Sequence, residues 1–200
     1  DNDCDGDVDE GALLDWYPDE DGDFFGDGNF GVQDCLAPSG YVANPGDCDD
    51  DDNSIHPYAW EDDSDGIDND CDGDSDADDT SVVTTVFSSG DDTAASYTPG
   101  NADWSFPFCG STWTGFNVQT NGQIMFGWSH TDWSESSSEF LSDGPAIALP
   151  WDDYRPDSYG TIYAVEYDNA IGIYFRGVSD FYASGDNTFE VVMHDSGAMY

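Results

Sequence analysis

The heptapeptide DNDCDGD occurs at residues 1–7 and again at residues 68–74, and Asp9 and Asp76 extend both copies to the pattern D-N-D-C-D-G-D-x-D. Carboxylates at every second position do not sit in a compact chain unaided. Two of them about 4 Å apart repel by roughly 1 kcal/mol at the dielectric constant of water, and by more where partly buried. Seven identical residues in a row mark a repeated unit, and its chemistry implies that counterions are part of the structure or of the habitat.

The charge is extreme and uneven. Of 200 residues, 45 are Asp or Glu and only Arg155 and Arg176 are basic, for a formal net charge of −43. Such a charge excludes nucleic acid and anionic membrane surfaces as electrostatic partners. Residues 1–80 hold 29 of the acidic residues and residues 81–200 the other 16. A solvating acidic surface of the halophilic kind would not place them at alternate positions. No apolar run approaches the roughly 20 residues of a membrane span. Five cysteines (Cys4, Cys35, Cys48, Cys71, Cys109) fit an oxidising compartment, and the odd count leaves one unpaired or paired elsewhere.

In a calcium loop, alternate carboxylates let a tightly curled backbone aim several oxygens at one centre, and a glycine at position 6 supplies the turn. Asp68, Asp70, Asp72, Gly73, Asp76 and Asp79 occupy positions 1, 3, 5, 6, 9 and 12 of such a loop, with the Asp74 carbonyl as a further ligand. The first copy offers Asp1, Asp3, Asp5, Gly6, Asp7 and Asp9, but Ala12 stands at position 12. Between them, Asp19, Asp21, Asp23 and Asp27 fall at positions 1, 3, 5 and 9, and Asp47, Asp49, Asp51 and Asn53 form another alternating run. Glu61, Asp63, Asp65 and Gly66 make a register overlapping the last loop, so adjacent ions can share ligands. Abundant hard oxygens at flexible spacing suit several Ca2+ ions; magnesium demands a stricter octahedron, and zinc or copper would draw on sulfur or imidazole. His56, beside Pro57, reads as a turn residue. A disordered acidic linker would not need Trp16, Tyr17, Phe24, Phe25, Phe30, Tyr41, Tyr58 and Trp60 interleaved with the acids.

The stretches DWYPDEDGDFFGDG, CLAPSGYVANPGDCDDDDNSIHP and DGIDNDCDGDSDADD resemble the metal-binding repeats found in tandem in large secreted bacterial proteins. They are similar, more distantly, to thrombospondin type-3 calcium repeats. The resemblance implies an extracellular, helix-poor stalk in which metal and disulfides stand in for a large core. Two departures from the family pattern stand out: Phe24 replaces the usual glycine at position 6 of the second loop, and Ser64 replaces a cysteine expected to pair with Cys71. Cys35 and Cys48 keep family positions, and closing their loop of about 14 residues would stabilise by roughly 3 kcal/mol.

From about residue 82 the texture changes to short β-branched and aromatic runs such as VVTTVF, AIALPW, TIYAVEY, AIGIYFRGV and TFEVVMH. Asn121-Gly122 and Asp168-Asn169 are two-residue hairpin signals, and Ile171, Ile173 and Phe175 share one face of a strand. The expected fold is mostly β: a helix-poor calcium-loop segment over residues 1–80, then an antiparallel β-sandwich, jelly-roll or immunoglobulin-like, over residues 81–200. The V-x-T-N-G-x-I-x-F hairpin at residues 118–126 and the PWDD corner at 150–153 resemble extracellular nidogen-like and bacterial adhesin sandwiches.

No enzyme is expected. His130 and His194 are isolated in sequence, and Ser129, Ser134 and Ser136–Ser138 lack a nucleophile-elbow context. Asp152 and Asp153 read as a loop corner or calcium contact, and the tryptophans (Trp104, Trp113, Trp128, Trp133, Trp151) mostly as core. The leading expectation is a calcium-stabilised structural component of an extracellular fibre or large cell-surface protein. The alternatives are an adhesin module for glycan or protein and a metal-scavenging secreted protein. Residue 1 falls inside a loop and residue 200 inside a hairpin, so the partners expected are neighbouring domains of a longer chain, or other copies, arranged head-to-tail. On the same reading Asp92 lies outside every loop register.

Overall fold

The computed structural model describes residues 13–62, 64–73, 75, 82–87, 90–131, 144–150, 152–156, 160–180 and 187–200. The chain divides into two compact units, Asp1–Thr80 and Ser81–Tyr200. The described residues are strands, turns and loops, with no helix among them.

In the first unit the strands are minimal: β1 (Leu14–Pro18), β2 (Gly26–Asp27), β3 (Val32–Asp34), β4 (Tyr41–Val42) and β5 (Pro45–Asp47). β1 lies between β3 and β4, antiparallel to both, with Trp16 opposite Val32 and Tyr17 opposite Val42. β2 and β5 run parallel and set Asp27 beside Asp47. Buried apolar side chains among the described residues of this unit are few: Phe25, Ile55 and Ala59. Phe25 stacks on His56 with ring centroids 5.3 Å apart and meets Tyr58 edge-on. Phe24, Phe30 and Leu36 are exposed. So small a core leaves the ordering to other bonds, and the carboxylates supply many of them. Asp21, Asp23, Asp27, Asp47, Asp52, Asp62 and Asp65 each accept the backbone N–H two residues on, at 2.7–3.2 Å. Short acidic side chains thus replace a ladder of main-chain partners.

The second unit is a sandwich built from β6 (Val82–Phe87), β7 (Ala94–Tyr97), β8 (Phe106–Phe108), β9 (Ser111–Trp113), β10 (Phe116–Gln119), β11 (Gln123–Met125), β12 (Ala146–Ala148), β13 (Tyr154–Arg155), β14 (Thr161–Glu166), β15 (Ala170–Asp180) and β16 (Asn187–His194). One sheet has the order β12-β11-β10-β7; the other runs β13-β15-β14-β6, with β16 also paired to β15. β8 and β9 form a separate hairpin. Alternation decides which side chains meet. Phe116 and Val118 of β10 and Ile124 of β11 share one buried cluster with Ile162 and Ala164 of β14 and with Ile171, Ile173 and Phe175 of β15.

The two hairpin signals differ in outcome. Asp168 and Asn169 form a two-residue turn, closed by the Tyr167 amide on the Ala170 carbonyl at 3.0 Å. At the other site Gln119 pairs with Gln123. Three residues therefore turn there, with Gly122 at φ 87°. An αL glycine ending a three-residue loop is the common alternative to the two-residue form. The last residues turn at Asp195–Gly197 and return along β16, where Val192 and Tyr200 exchange both backbone hydrogen bonds.

One polar lock joins the two sheets. Glu166 on β14 accepts the Tyr97 hydroxyl of β7 at 2.6 Å, the Gly100 amide at 2.8 Å and the Asn101 amide at 3.2 Å. Burial pushes the Glu166 carboxyl up, but these donors outweigh it and hold it below the ordinary glutamate value. Because its folded pKa is depressed, the group contributes stability above its unfolded value of about 4.3. That contribution is lost as pH falls through the folded pKa. Glu166→Ala should therefore lower the stability of the sandwich by roughly 2–3 kcal/mol near neutral pH, and flatten the acid limb of its unfolding curve below about pH 4.3. Denaturant titrations of both proteins between neutrality and acid check this.

Candidate metal centre

Residues 19–23 curl around their own carboxylates. The Asp19 amide donates to Gly40 at 3.0 Å, anchoring the loop beside β4. Asp19 Oδ1 then accepts the Gly22 amide at 2.7 Å, Asp21 Oδ1 the Asp23 amide at 3.2 Å, and Asp23 Oδ1 the Phe25 amide at 2.7 Å. A second loop closes over them. Asp47 ends β5 and accepts the Asp49 amide at 2.9 Å, and Asp50 reaches across to accept the Glu20 amide at 2.9 Å. In consequence Asp19, Asp21 and Asp50 each bring a ligand oxygen within 4.8 Å of the others, and Asp21, Asp23 and Asp47 do the same.

With Oδ1 of each committed to an amide, the second oxygens are left over. Oδ2 of Asp21, Asp23 and Asp47 are all buried and accept no hydrogen bond among the described residues. Asp47 is only 7% exposed. Burial pushes its carboxyl up to about 6, against the pull of the Asp49 amide, and the charges of Asp23, Asp21 and Asp50 push the same way. Burial likewise raises Asp21, helped by the charges of Asp19 and Asp50, and it raises Asp23. Buried carboxylate oxygens facing each other without a donor are costly unless a cation lies between them.

A second group forms in the last loop. Glu61, Asp68 and Asp70 bring oxygens within the same 4.8 Å. Asp68 accepts the Asp72 amide at 3.1 Å and the Gly73 amide at 3.0 Å, and Gly73 takes φ 101° as position 6 of a calcium loop requires. Asn69, buried between these ligands, donates its amide to Glu61 at 2.8 Å, accepts the Asp62 amide at 2.9 Å and offers its carbonyl to His56 at 3.0 Å. The Cys48–Cys71 disulfide links the two groups through the neighbours of Asp47 and Asp70.

Some of the carboxylates placed in loop registers lie together. Asp19, Asp21, Asp23 and Asp47 meet, as do Asp68 and Asp70. Asp27 instead holds the backbone and side chain of Asn29 at 2.8 and 2.7 Å, and Asp65 caps Ile67 at 2.8 Å. Asp49, Asp51 and Asp72 also lie outside these groups. Asp1, Asp3, Asp5, Asp7, Asp9, Asp63, Asp74, Asp76 and Asp79 lie outside the described residues. Counting in twos from Asp47 passes over Asp50; only the four consecutive aspartates at 49–52 hinted at it. A third group, Asp91, Asp92 and Asp153, stands in the sandwich, where Asn121 Nδ2 donates to Asp92 Oδ1 at 3.0 Å. Asp92 therefore does not stand apart from every carboxylate cluster.

Two family-based expectations are corrected. Cys48 bonds to Cys71, 23 residues away, rather than to Cys35. Cys35 is engaged in a disulfide of its own, while Cys109 is a free thiol. The longer Cys48–Cys71 loop constrains the unfolded chain by roughly 3 kcal/mol. Ser64, in the place of the family cysteine, donates its hydroxyl to Asp62 at 2.6 Å instead. At position 6 of the second loop, Phe24 adopts φ 77° although it is not glycine.

Residues 76–167 match the family model described as NIDO related. The stretch is similar to that family from β6 through β14, and it takes in the T-N-G hairpin, the PWDD corner and the third carboxylate group. The two groups between residues 19 and 70 lie outside it. Neither curated proteins nor solved structures gave a match to the chain. Similarity of residues 76–167 to the NIDO-related family and a disulfide both fit an extracellular setting, and no described helix is long and apolar enough to cross a membrane.

Were calcium to occupy the group of Asp21, Asp23 and Asp47, Asp47→Ala would weaken its binding by about tenfold or more, because it removes a buried carboxylate from that group. Asp51→Ala, exposed and outside the groups, should change it by no more than about twofold; calcium titration by calorimetry compares them. Phe24→Gly should stabilise the calcium-loaded loop by about 0.5–1 kcal/mol, since a phenyl-bearing residue is strained at positive φ. Phe24 is 66% exposed and loses little packing. Thermal unfolding in excess calcium reads this gain.

Proposed function

We propose that residues 1–80 are a calcium-wrapped spacer, and that they carry the nidogen-related sandwich as part of an extracellular fibre or large cell-surface protein of the secreted bacterial type. The observation that carries the reading is that Asp21, Asp23 and Asp47 bring ligand oxygens within 4.8 Å of one another while the Oδ2 of each is buried without a donor. Five carboxylates drawn from two loops, with no sulfur or imidazole among them, suit Ca2+. Ion binding then supplies the folding free energy that the small core lacks. A scavenger that passes metal on would favour exposed ligands, whereas the innermost ligand here is nine-tenths buried.

The reading assigns no catalytic step. His194 Nδ1 lies 2.8 Å from Ser196 Oγ and 3.2 Å from Asp195 Oδ1, and it accepts the Ser196 amide at 3.1 Å. A catalytic triad needs serine and aspartate on opposite ring nitrogens. Here all three contacts fall on one. His130 is bonded to Gln123 at 2.7 Å.

Copies or neighbours arranged head-to-tail are the proposed partners. With two arginines against 45 acidic residues, such contacts are bridged by cations or made by apolar surface.

Chelation should make residues 1–80 sensitive to protease while residues 81–200 keep their β signature and most of their melting temperature. Limited proteolysis with mass spectrometry, circular dichroism and elemental analysis of the native protein report the outcome. Unchanged resistance of residues 1–80 after metal removal would overturn the proposal.

A further inference from the structure

The sandwich carries an open groove of about 380 Å3 on the outer side of its four-stranded sheet, where β7 is an edge strand. Its wall chemistry differs from that of the rest of the chain. Ser96, Thr98, Thr112 and Thr114 present exposed hydroxyls, Asn117 an amide and Trp113 a half-buried indole. Among the described residues no aspartate or glutamate lines the groove, although 45 of the 200 residues are acidic.

The polar groups are held in place. Ser96 and Asn117 face each other across the β7–β10 ladder, and the serine hydroxyl donates to Asn117 Oδ1 at 2.7 Å. Asn117 Nδ2 donates to the Trp128 carbonyl at 2.7 Å, which fixes the amide's orientation. Trp113 spends its N–H on the Phe108 carbonyl at 3.2 Å and leans on Phe126, so the ring is pinned. Gly127, at φ 78°, clears the way for it: a Cβ there would stand 2.7 Å from Cζ3 of the indole.

We propose that this groove binds a neutral saccharide. A pinned aromatic ring matches the apolar C–H face of a pyranose, and the surrounding hydroxyls match its equatorial O–H groups as both donors and acceptors. The described lining holds no basic residue, which together with the net charge of −43 disfavours uronate, sialic acid and sulfated sugars. The inference extends the structural reading by giving the nidogen-related domain an adhesive task, and it stands independently of the calcium groups.

The test uses the full chain in calcium. Glucose, galactose, mannose, N-acetylglucosamine and their disaccharides are titrated beside glucuronate and sialyllactose, with saturation-transfer NMR and tryptophan fluorescence as readouts. At least one neutral sugar should bind saturably and perturb the indole signal, and the acidic sugars should not. Ser96→Trp and Thr114→Trp, both at exposed positions, should each weaken binding by about tenfold or more by filling the groove. Their melting temperatures confirm folding, and Trp113→Phe, which keeps a ring, should weaken binding less. Asp47→Ala, which tests the calcium reading, should leave the sugar titration unchanged, so the two readings fail separately. Absence of any neutral-sugar signal, equal binding of acidic sugars, or binding indifferent to both groove-filling variants would overturn the proposal.

Discussion

The first unit depends on how an aspartate divides its two oxygens. One accepts the amide two or three residues on and bends the chain; the other stays free of that bond, and in Asp21, Asp23 and Asp47 it is buried without a donor. Repeated at residues 19, 21, 23 and 47, this division makes turns and a cage of oxygens in one act. The same geometry takes carboxylates out of water and sets them near one another, so that burial first, and neighbouring charge after it, pushes the carboxyls of Asp21, Asp23 and Asp47 up. Backbone and site are one construction here, and the short strands β1–β5 serve mainly to fix where the loops cross.

The sandwich solves its problem in the ordinary way. A cluster of aromatic and branched residues fills the space between two sheets, with Phe126 in ring contact with both Phe106 and Phe116. Its buried polar groups cluster at the β10–β11 turn, where Asn121 Oδ1 accepts the Tyr154 amide at 3.2 Å. Glu166 is the other fixed point, and it ties an edge strand of one sheet to the second. The two units thus differ in the currency of their stability: burial of apolar area in one, hydrogen-bonded carboxylates in the other.

Much of this was legible in the residues. Absence of helix follows from the alternation and turn chemistry, and the face shared by Ile171, Ile173 and Phe175 follows from the period of a strand. The carboxylates that meet within one loop, such as Asp21 with Asp23 or Asp68 with Asp70, were visible from spacing because position 1, 3 and 5 oxygens are set by local backbone curl. Phe24 shows the limit of a residue-type rule. The turn at position 6 survives without glycine, since the loop bonds around it fix a positive φ that the residue type disfavours.

By itself, then, the sequence determined the local matters: which segments curl around acids, which alternate into strands, and where the chain turns. What it left open was every meeting of residues distant in the chain. The union of Asp47 and Asp50 with the 19–23 loop, the choice of Cys71 over Cys35 by Cys48, and the gathering of Asp91, Asp92 and Asp153 are of this kind. Each depends on how β5 pairs with β2, how the last loop folds back through Asn69, and how the sheets stack. A spacing rule reaches only as far as the backbone's own curl; beyond that, tertiary packing alone decides which oxygens and sulfurs come within bonding distance.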